Sequence, residues 1–337
     1  MTLRTLLLAL PALAGCLDGA PHDNPLDSGS DLYRDAGTVA GRVTGIYPPF
    51  EGRADVRVHL VPLGAVPLGA GGAERVVRTA ADGAFRAEGL PGGLYEVRAE
   101  RDGFRAKADT ITVAAGAVAQ ADFRLDALPV VVSQAARTVH IDRWPPLSPV
   151  FQLEVEVAAT DPDRAADVDG AALVAEGIAF REPLVETAPG RFAGALDAAR
   201  LPGGRVQSLL GRALRVEVTD RAGNTALGPP LALVRVVEQT PLTFRPQITD
   251  APPPNPPVLE WRPSDLPFAF TYRVEVFLED GAGVPNLVYT RGGVEASATS
   301  HALPAALPIG DYSWAVWTVD EAGNRSRSKP AGFRVLQ

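Results

Sequence analysis

Cysteine is nearly absent. Cys16 is the only one in 337 residues, so no disulfide can form within the chain. Lysine is almost as scarce: apart from Lys107 and Lys329, all of the 32 basic residues are arginines, and they are scattered. With a net charge of −8, this leaves no clustered positive face for a phosphate backbone, which excludes nucleic acid as a partner. The four histidines are followed three positions on by Pro25, Pro62, Arg143 and Pro304, so no His-x-x-Glu zinc motif exists. There is no Gly-x-Ser-x-Gly elbow, no glycine-rich phosphate loop and no second thiol. No apolar run after the first sixteen residues reaches the roughly eighteen that a transmembrane helix needs.

What is present is a chain that is 46% hydrophobic yet carries 33 glycines and 31 prolines. Disorder requires low hydrophobicity, so the glycine and proline mark turns between strands. In Asp55–Val61 apolar and polar residues alternate with the period of a half-buried strand. Further strands are predicted at 39–46, 74–79, 84–88, 94–100, 104–113 and 119–125, with Asp82-Gly83 and Asp102-Gly103 as turns. Alternation returns at Phe151–Val157 and at Leu214, Val216 and Val218, and again at Phe270–Phe277 and Tyr312–Val319. Asp220-Arg221-Ala222-Gly223-Asn224 is echoed one hundred positions later by Asp320-Glu321-Ala322-Gly323-Asn324, about the length of one sandwich domain. The expected fold is all-β: three tandem β-sandwich domains behind a leader and a tether.

The leader, residues 1–15, has Arg4 ahead of an apolar run from Leu6 to Ala14, the pattern of a secretory signal. Leu13-Ala14-Gly15-Cys16 resembles the lipobox of bacterial lipoproteins, which implies cleavage before Cys16 and lipidation of its thiol. Two or more acyl chains would make a stable anchor, at about 0.8 kcal/mol per buried methylene. Residues 16–36 then form the lipidated cysteine and a flexible polar tether. The resemblance implies a lipid-anchored protein of the outer membrane, since Leu17 is not the aspartate that retains Gram-negative lipoproteins at the inner membrane. Orientation, towards the periplasm or the cell surface, stays open.

Residues 37–128 carry a second resemblance. Asp82-Gly83-Ala84-Phe85, then Gly89-Leu90-Pro91-Gly92-Gly93-Leu94-Tyr95, then Gly103-Phe104 are similar to the core motif of carboxypeptidase regulatory-like domains. That family implies a prealbumin-like sandwich with Phe85 and Tyr95 in its core; its name does not imply peptidase activity. Related adhesin modules cross-link a strand lysine, but Lys107, the single lysine here, falls in a late strand, which argues against that cross-link. Residues 129–240 resemble bacterial immunoglobulin-like sandwiches. Residues 241–337, with Trp261 in an early strand and Tyr312-Ser313-Trp314-Ala315-Val316 late, resemble fibronectin type III domains.

Three candidate sites stand out. Cys16 is the lipidation site. Asp161, Asp163, Asp167 and Asp169 put four carboxylates in nine residues, which could give calcium its oxygen ligands or be a solvated turn; the spacing is not that of an EF-hand. Trp144, in a proline loop, and Trp317, on the opposite strand face from Tyr312 and Trp314, could be exposed rings for sugar stacking, or could pack at domain junctions. No catalytic constellation is visible. The expected function is non-catalytic: a membrane-anchored lipoprotein presenting sandwich modules to a protein or polysaccharide of the cell envelope in a structural or adhesive role. The alternative is a carbohydrate-binding surface lipoprotein.

Overall fold

The computed structural model describes residues 36–64, 74–279, 281 and 284–336. The leader, Cys16 and the tether before Ala36 lie outside the described residues. The chain divides into two compact units at Asp126/Ala127.

Among the described residues the first unit contains eight strands. They are β1 (Ala36–Gly45), β2 (Arg57–Pro62), β3 (Arg75–Arg78) and β4 (Ala84–Pro91), followed by β5 (Gly93–Glu100), β6 (Lys107–Val113), β7 (Val118–Gln120) and β8 (Phe123–Leu125). One sheet runs β4-β1-β7 with β8 also on β1, and the other runs β3-β2-β5-β6. Alternation decides which side chains meet: Val39, Val43, Val58, Leu60, Val97 and Leu125 are all fully buried between the sheets. Phe85 and Tyr95 join them, and the Tyr95 hydroxyl donates to the Pro91 carbonyl at 3.0 Å. Gly83 turns the β3–β4 connection at φ +86°, where a Cβ would lie 2.2 Å from the Val43 carbonyl oxygen. No other residue fits that approach.

The second unit begins with β9 (Val130–Ile141), β10 (Val150–Thr160), β11 (Val168–Ala175), β12 (Arg181–Pro183), β13 (Val185–Ala188) and β14 (Arg191–Asp197). Then come β15 (Ala213–Asp220), β16 (Thr225–Leu227) and β17 (Leu231–Ala232). Its last part holds β18 (Leu242–Arg245), β19 (Val258–Arg262), β20 (Phe270–Leu278) and β21 (Asn286–Glu295). β22 (Ser300–Ala302), β23 (Gly310–Asp320), β24 (Arg325–Arg327) and β25 (Ala331–Val335) complete it.

Two apolar cores lie in this unit. One gathers Leu153, Val155, Leu173, Phe192, Leu214, Val216 and their neighbours; the other gathers Leu259, Trp261, Tyr272, Trp314, Val316 and Phe333. Each core is closed on one side by a small sheet, β12-β11-β15-β16 (with β17) for the first and β18-β19-β22 for the second. On the other side a single nine-stranded sheet serves both cores, in the order β13-β14-β10-β9-β24-β23-β20-β21 with β25 on β23. The splice is a parallel pairing of β9 with β24, in which Val139, His140 and Ile141 face Arg325, Ser326 and Arg327.

Candidate functional site

The splice is built from hydrogen bonds with one constant offset. The Asn324 side-chain oxygen accepts the Thr138 backbone N–H at 2.9 Å and its hydroxyl at 3.1 Å. His140 Nδ1 lies 3.0 Å from Ser326 Oγ, and the Trp144 indole N–H donates to the Pro330 carbonyl at 2.7 Å. All three pairs are 186 residues apart, the register of the parallel strands carried past their ends. Asn324 is presented by its own loop: its backbone and side-chain N–H groups bind the two Asp320 oxygens at 2.8 and 3.0 Å, with Gly323 at φ +83°. Asp220 and Asn224 repeat the same loop, with both distances 2.7 Å and Gly223 also at +83°. His140 is buried and stacked on Phe151, centroids 4.3 Å apart, and burial holds its pKa below the usual histidine value.

Trp317 is not an exposed ring. Strand parity places it on the outer face, as the sequence implies, yet it is only 7% exposed. Arg273, Arg325 and Arg327 cover it, each guanidinium carbon 5.4–5.7 Å from the ring centroid, and its indole N–H donates to Glu275 at 2.6 Å. Those cations reach it from the neighbouring strands: Arg273 on β20 and Arg327 on β24 lie directly opposite Trp317, with Arg325 two residues before Arg327 in the β23–β24 hairpin. Strand parity gives the face on which Trp317 lies but not what the neighbouring strands lay over it. Burial lowers the Arg327 pKa from its ordinary value. Trp144 is 53% exposed, with the Lys329 ammonium 5.0 Å over its ring. Of the two tryptophans, only Trp144 offers aromatic surface.

The four aspartates divide: Asp163 and Asp167 lie close enough to Asp161 to act on its charge, and Asp169 faces solvent. Asp169 is exposed on β11, whereas Asp161 is 4% exposed and Asp167 is fully buried. Among the described residues no group of three or more His, Cys, Asp or Glu is arranged to hold a metal ion. The carboxylates are committed to the backbone: Asp161 Oδ1 accepts the Asp163 N–H at 2.8 Å, and Asp163 Oδ2 accepts the Ala127 N–H at 2.7 Å. Asp161 Oδ2 is buried without a hydrogen-bond partner among the described residues. Burial, reinforced by Asp163, Asp167 and Asp220, pushes its pKa up to about 6. Lys107 is exposed at the start of β6.

A family comparison bears on the first unit. Residues 53–126 match the carboxypeptidase regulatory-like domain. The matched stretch takes in β2 to β8, including the Asp82-Gly83 turn and the Tyr95 hydroxyl bond, so the regulatory-like domain accounts for most of the first unit and leaves residues 127–337 unmatched. No curated protein matches the chain. Among solved structures, the major pilin subunit BcpA of Bacillus cereus is 13% identical, with 90% of this chain and 96% of that one covered and a TM-score of 0.30. The FN1–FN3 domains of chicken CNTN1 are 12% identical over 85% and 98%, with a TM-score of 0.32. A putative carbohydrate binding protein from Bacteroides uniformis is 9% identical over 59% and 98%, with a TM-score of 0.23. With scores this low, none of these neighbours supports a function for this chain.

Proposed function

We propose that this protein is a non-catalytic lipoprotein, anchored through Cys16 to the outer membrane, whose β-sandwiches present binding surfaces to a protein or polysaccharide of the cell envelope. The observation that carries the reading is the sheet that runs unbroken through both cores of residues 127–337. It makes a stiff arm with a broad open face, which suits display. The lipobox-like Leu13–Cys16 and the polar tether supply the attachment. A carbohydrate-binding role has its own support in Trp144, whose half-exposed ring is pinned at its nitrogen by Pro330 and so is held in one orientation. Fixed, amphipathic rings lose little entropy when a ligand stacks on them.

The test is metabolic labelling with an alkyne palmitate in a Gram-negative host producing the full chain, followed by membrane fractionation. Label on the wild type in the outer-membrane fraction, and none on Cys16→Ala, is the expected result. An unlabelled wild type released to the soluble fraction would overturn the anchored reading.

A further inference from the structure

The outer face of the nine-stranded sheet carries three clefts that join end to end. One, of about 420 Å³, is lined by Arg137, Glu156 and Arg191 over β9, β10 and β14. A second, of about 560 Å³, shares Glu156 and Ala193 with it and adds Glu154 and Arg200. The third, of about 350 Å³, shares Arg137 and continues to Arg273 and Arg325 with the glycines 292, 293 and 323. The ladder explains the groove. Ala193, Glu156 and Ala135 form one row and Ala195, Glu154 and Arg137 the next, so small side chains on β14 and β9 leave hollows on either side of the two β10 glutamates, which the arginines flank. From β14 to β21 the run crosses seven strands, roughly 30 Å at the usual inter-strand spacing.

Its charge is opposite to that of the chain. Five arginines and two glutamates line the three clefts, and with Glu182 and Glu275, which pair with Arg200 and Arg273, the local balance is +1 in a chain of net charge −8. Four of the arginines have carboxylates nearby: Arg137 meets Glu156 at 3.3 Å, Arg325 meets Glu154 at 2.5 Å, Arg200 meets Glu182 at 2.5 Å and Arg273 meets Glu275 at 3.6 Å. Arg191 is exposed and has no carboxylate within 4.0 Å among the described residues. Among the described residues that line the groove, the only large exposed apolar side chain is Val185, at its β13 end. Protein partners are gripped through buried aromatic and aliphatic anchors, for which this groove has no pocket. A repeating anionic chain needs only evenly spaced, fork-shaped cations, and arginine binds carboxylate or sulfate through two parallel hydrogen bonds.

We infer that the outer face of this sheet is the binding site for an acidic polysaccharide, laid across the strands from Arg191 to Arg273. The inference rests on the display function proposed above and names its ligand class. The test is affinity electrophoresis of the full chain at low salt through gels holding polygalacturonate, neutral dextran or poly-glutamate. The expected result is retardation by polygalacturonate alone, fading as salt rises, and weakened about tenfold or more in Arg137→Ala/Arg191→Ala, since two charge-assisted contacts are removed. Arg191→Glu, which breaks no ion pair, should lose the retardation as well, while Arg78→Ala/Lys107→Ala, which removes equal charge from the first unit, should retain it. Retardation by dextran, unchanged retardation in both face variants, or equal loss in the first-unit variant would each overturn the inference. Retention by poly-glutamate in place of polygalacturonate would also overturn it and point to an acidic protein. Palmitate labelling distinguishes the failures, because a labelled chain without retardation leaves the anchored reading standing and removes only this ligand.

Discussion

The Asn324 side-chain oxygen accepts the backbone N–H of Thr138, 186 residues earlier, at 2.9 Å. Both residues are buried, and the pair sits where β24 begins to run beside β9. A sandwich normally hides the edges of its sheets or leaves them blunt. Here two edges satisfy each other, and a side chain from the Asp320–Asn324 loop extends the ladder by one further bond.

Replacing Asn324 by alanine strands the Thr138 N–H in a dry site and opens the Asp320 loop. An unpaired buried donor costs about 1–3 kcal/mol, and the lost loop bonds add to it. Urea unfolding of the full chain should show a lower midpoint for residues 127–337. Asn224→Ala, in the loop with the same internal bonds, tests how much of the cost belongs to the loop and how much to the splice.

The two exposed-ring candidates should behave oppositely. Trp317→Ala removes a buried ring from under three guanidinium groups and should cost about 3–5 kcal/mol, the usual range for a buried large aromatic. Trp144→Ala removes a half-exposed ring with one hydrogen bond and should cost about 1 kcal/mol. Thermal or urea midpoints of the two variants check this directly. Trp144→Ala is therefore the variant fit for a ligand-stacking test.

Asp161 makes stability depend on pH. Its folded pKa of about 6 lies above the unfolded value near 3.9, so the folded state binds the proton more tightly. Its contribution to stability is therefore greatest below about pH 4 and is lost as pH rises through about 6. His140 works the other way: its pKa is lowered by burial, so its contribution falls as pH drops below about 6.5. Comparing wild type with Asp161→Asn isolates the first effect. The variant should be the more stable at pH 7, and the difference should shrink or vanish by pH 4. Added calcium should leave the wild-type curve unchanged; a calcium-dependent rise at pH 7 that Asp161→Asn abolishes would show that the aspartates gather around a cation after all.

Much of the architecture is legible in local pattern. Strict alternation at Phe151–Val157 and Leu214–Val218 gives the buried faces directly, because strand periodicity leaves only one face for the apolar set. The Asp-Gly turns need only the local freedom of glycine. One short signal shows its meaning only in the structure: Pro91-Gly92-Gly93-Leu94-Tyr95 recurs as Pro308-Ile309-Gly310-Asp311-Tyr312, and both tyrosine hydroxyls donate to the proline carbonyl four residues back, at 3.0 and 2.8 Å. The splice could not be read. The echo of Asp220–Asn224 in Asp320–Asn324 is plain in the sequence, but nothing local says that Asn324 continues a neighbouring ladder. For Trp317 the sequence leaves exposure and packing both open, because parity shows the outward face but not the arginines of β20 and β24 that lie across it. For Asp161–Asp169 the sequence leaves a ligand set and a turn both open, because spacing cannot tell which carboxylates turn inward, as Asp161 and Asp167 do, and which face solvent, as Asp169 does.

The continuity of the sheet is the central claim, because the display arm and the groove across its face both depend on it. Hydrogen–deuterium exchange of the full chain tests it most directly, read on peptides covering 138–141 and 325–327. The amides at the splice should exchange as slowly as those of β10, and Asn324→Ala should speed both peptides together. Rapid exchange at 325–327 in the wild type, with β10 still protected, would mean that the two cores are separate sandwiches and would contradict the account.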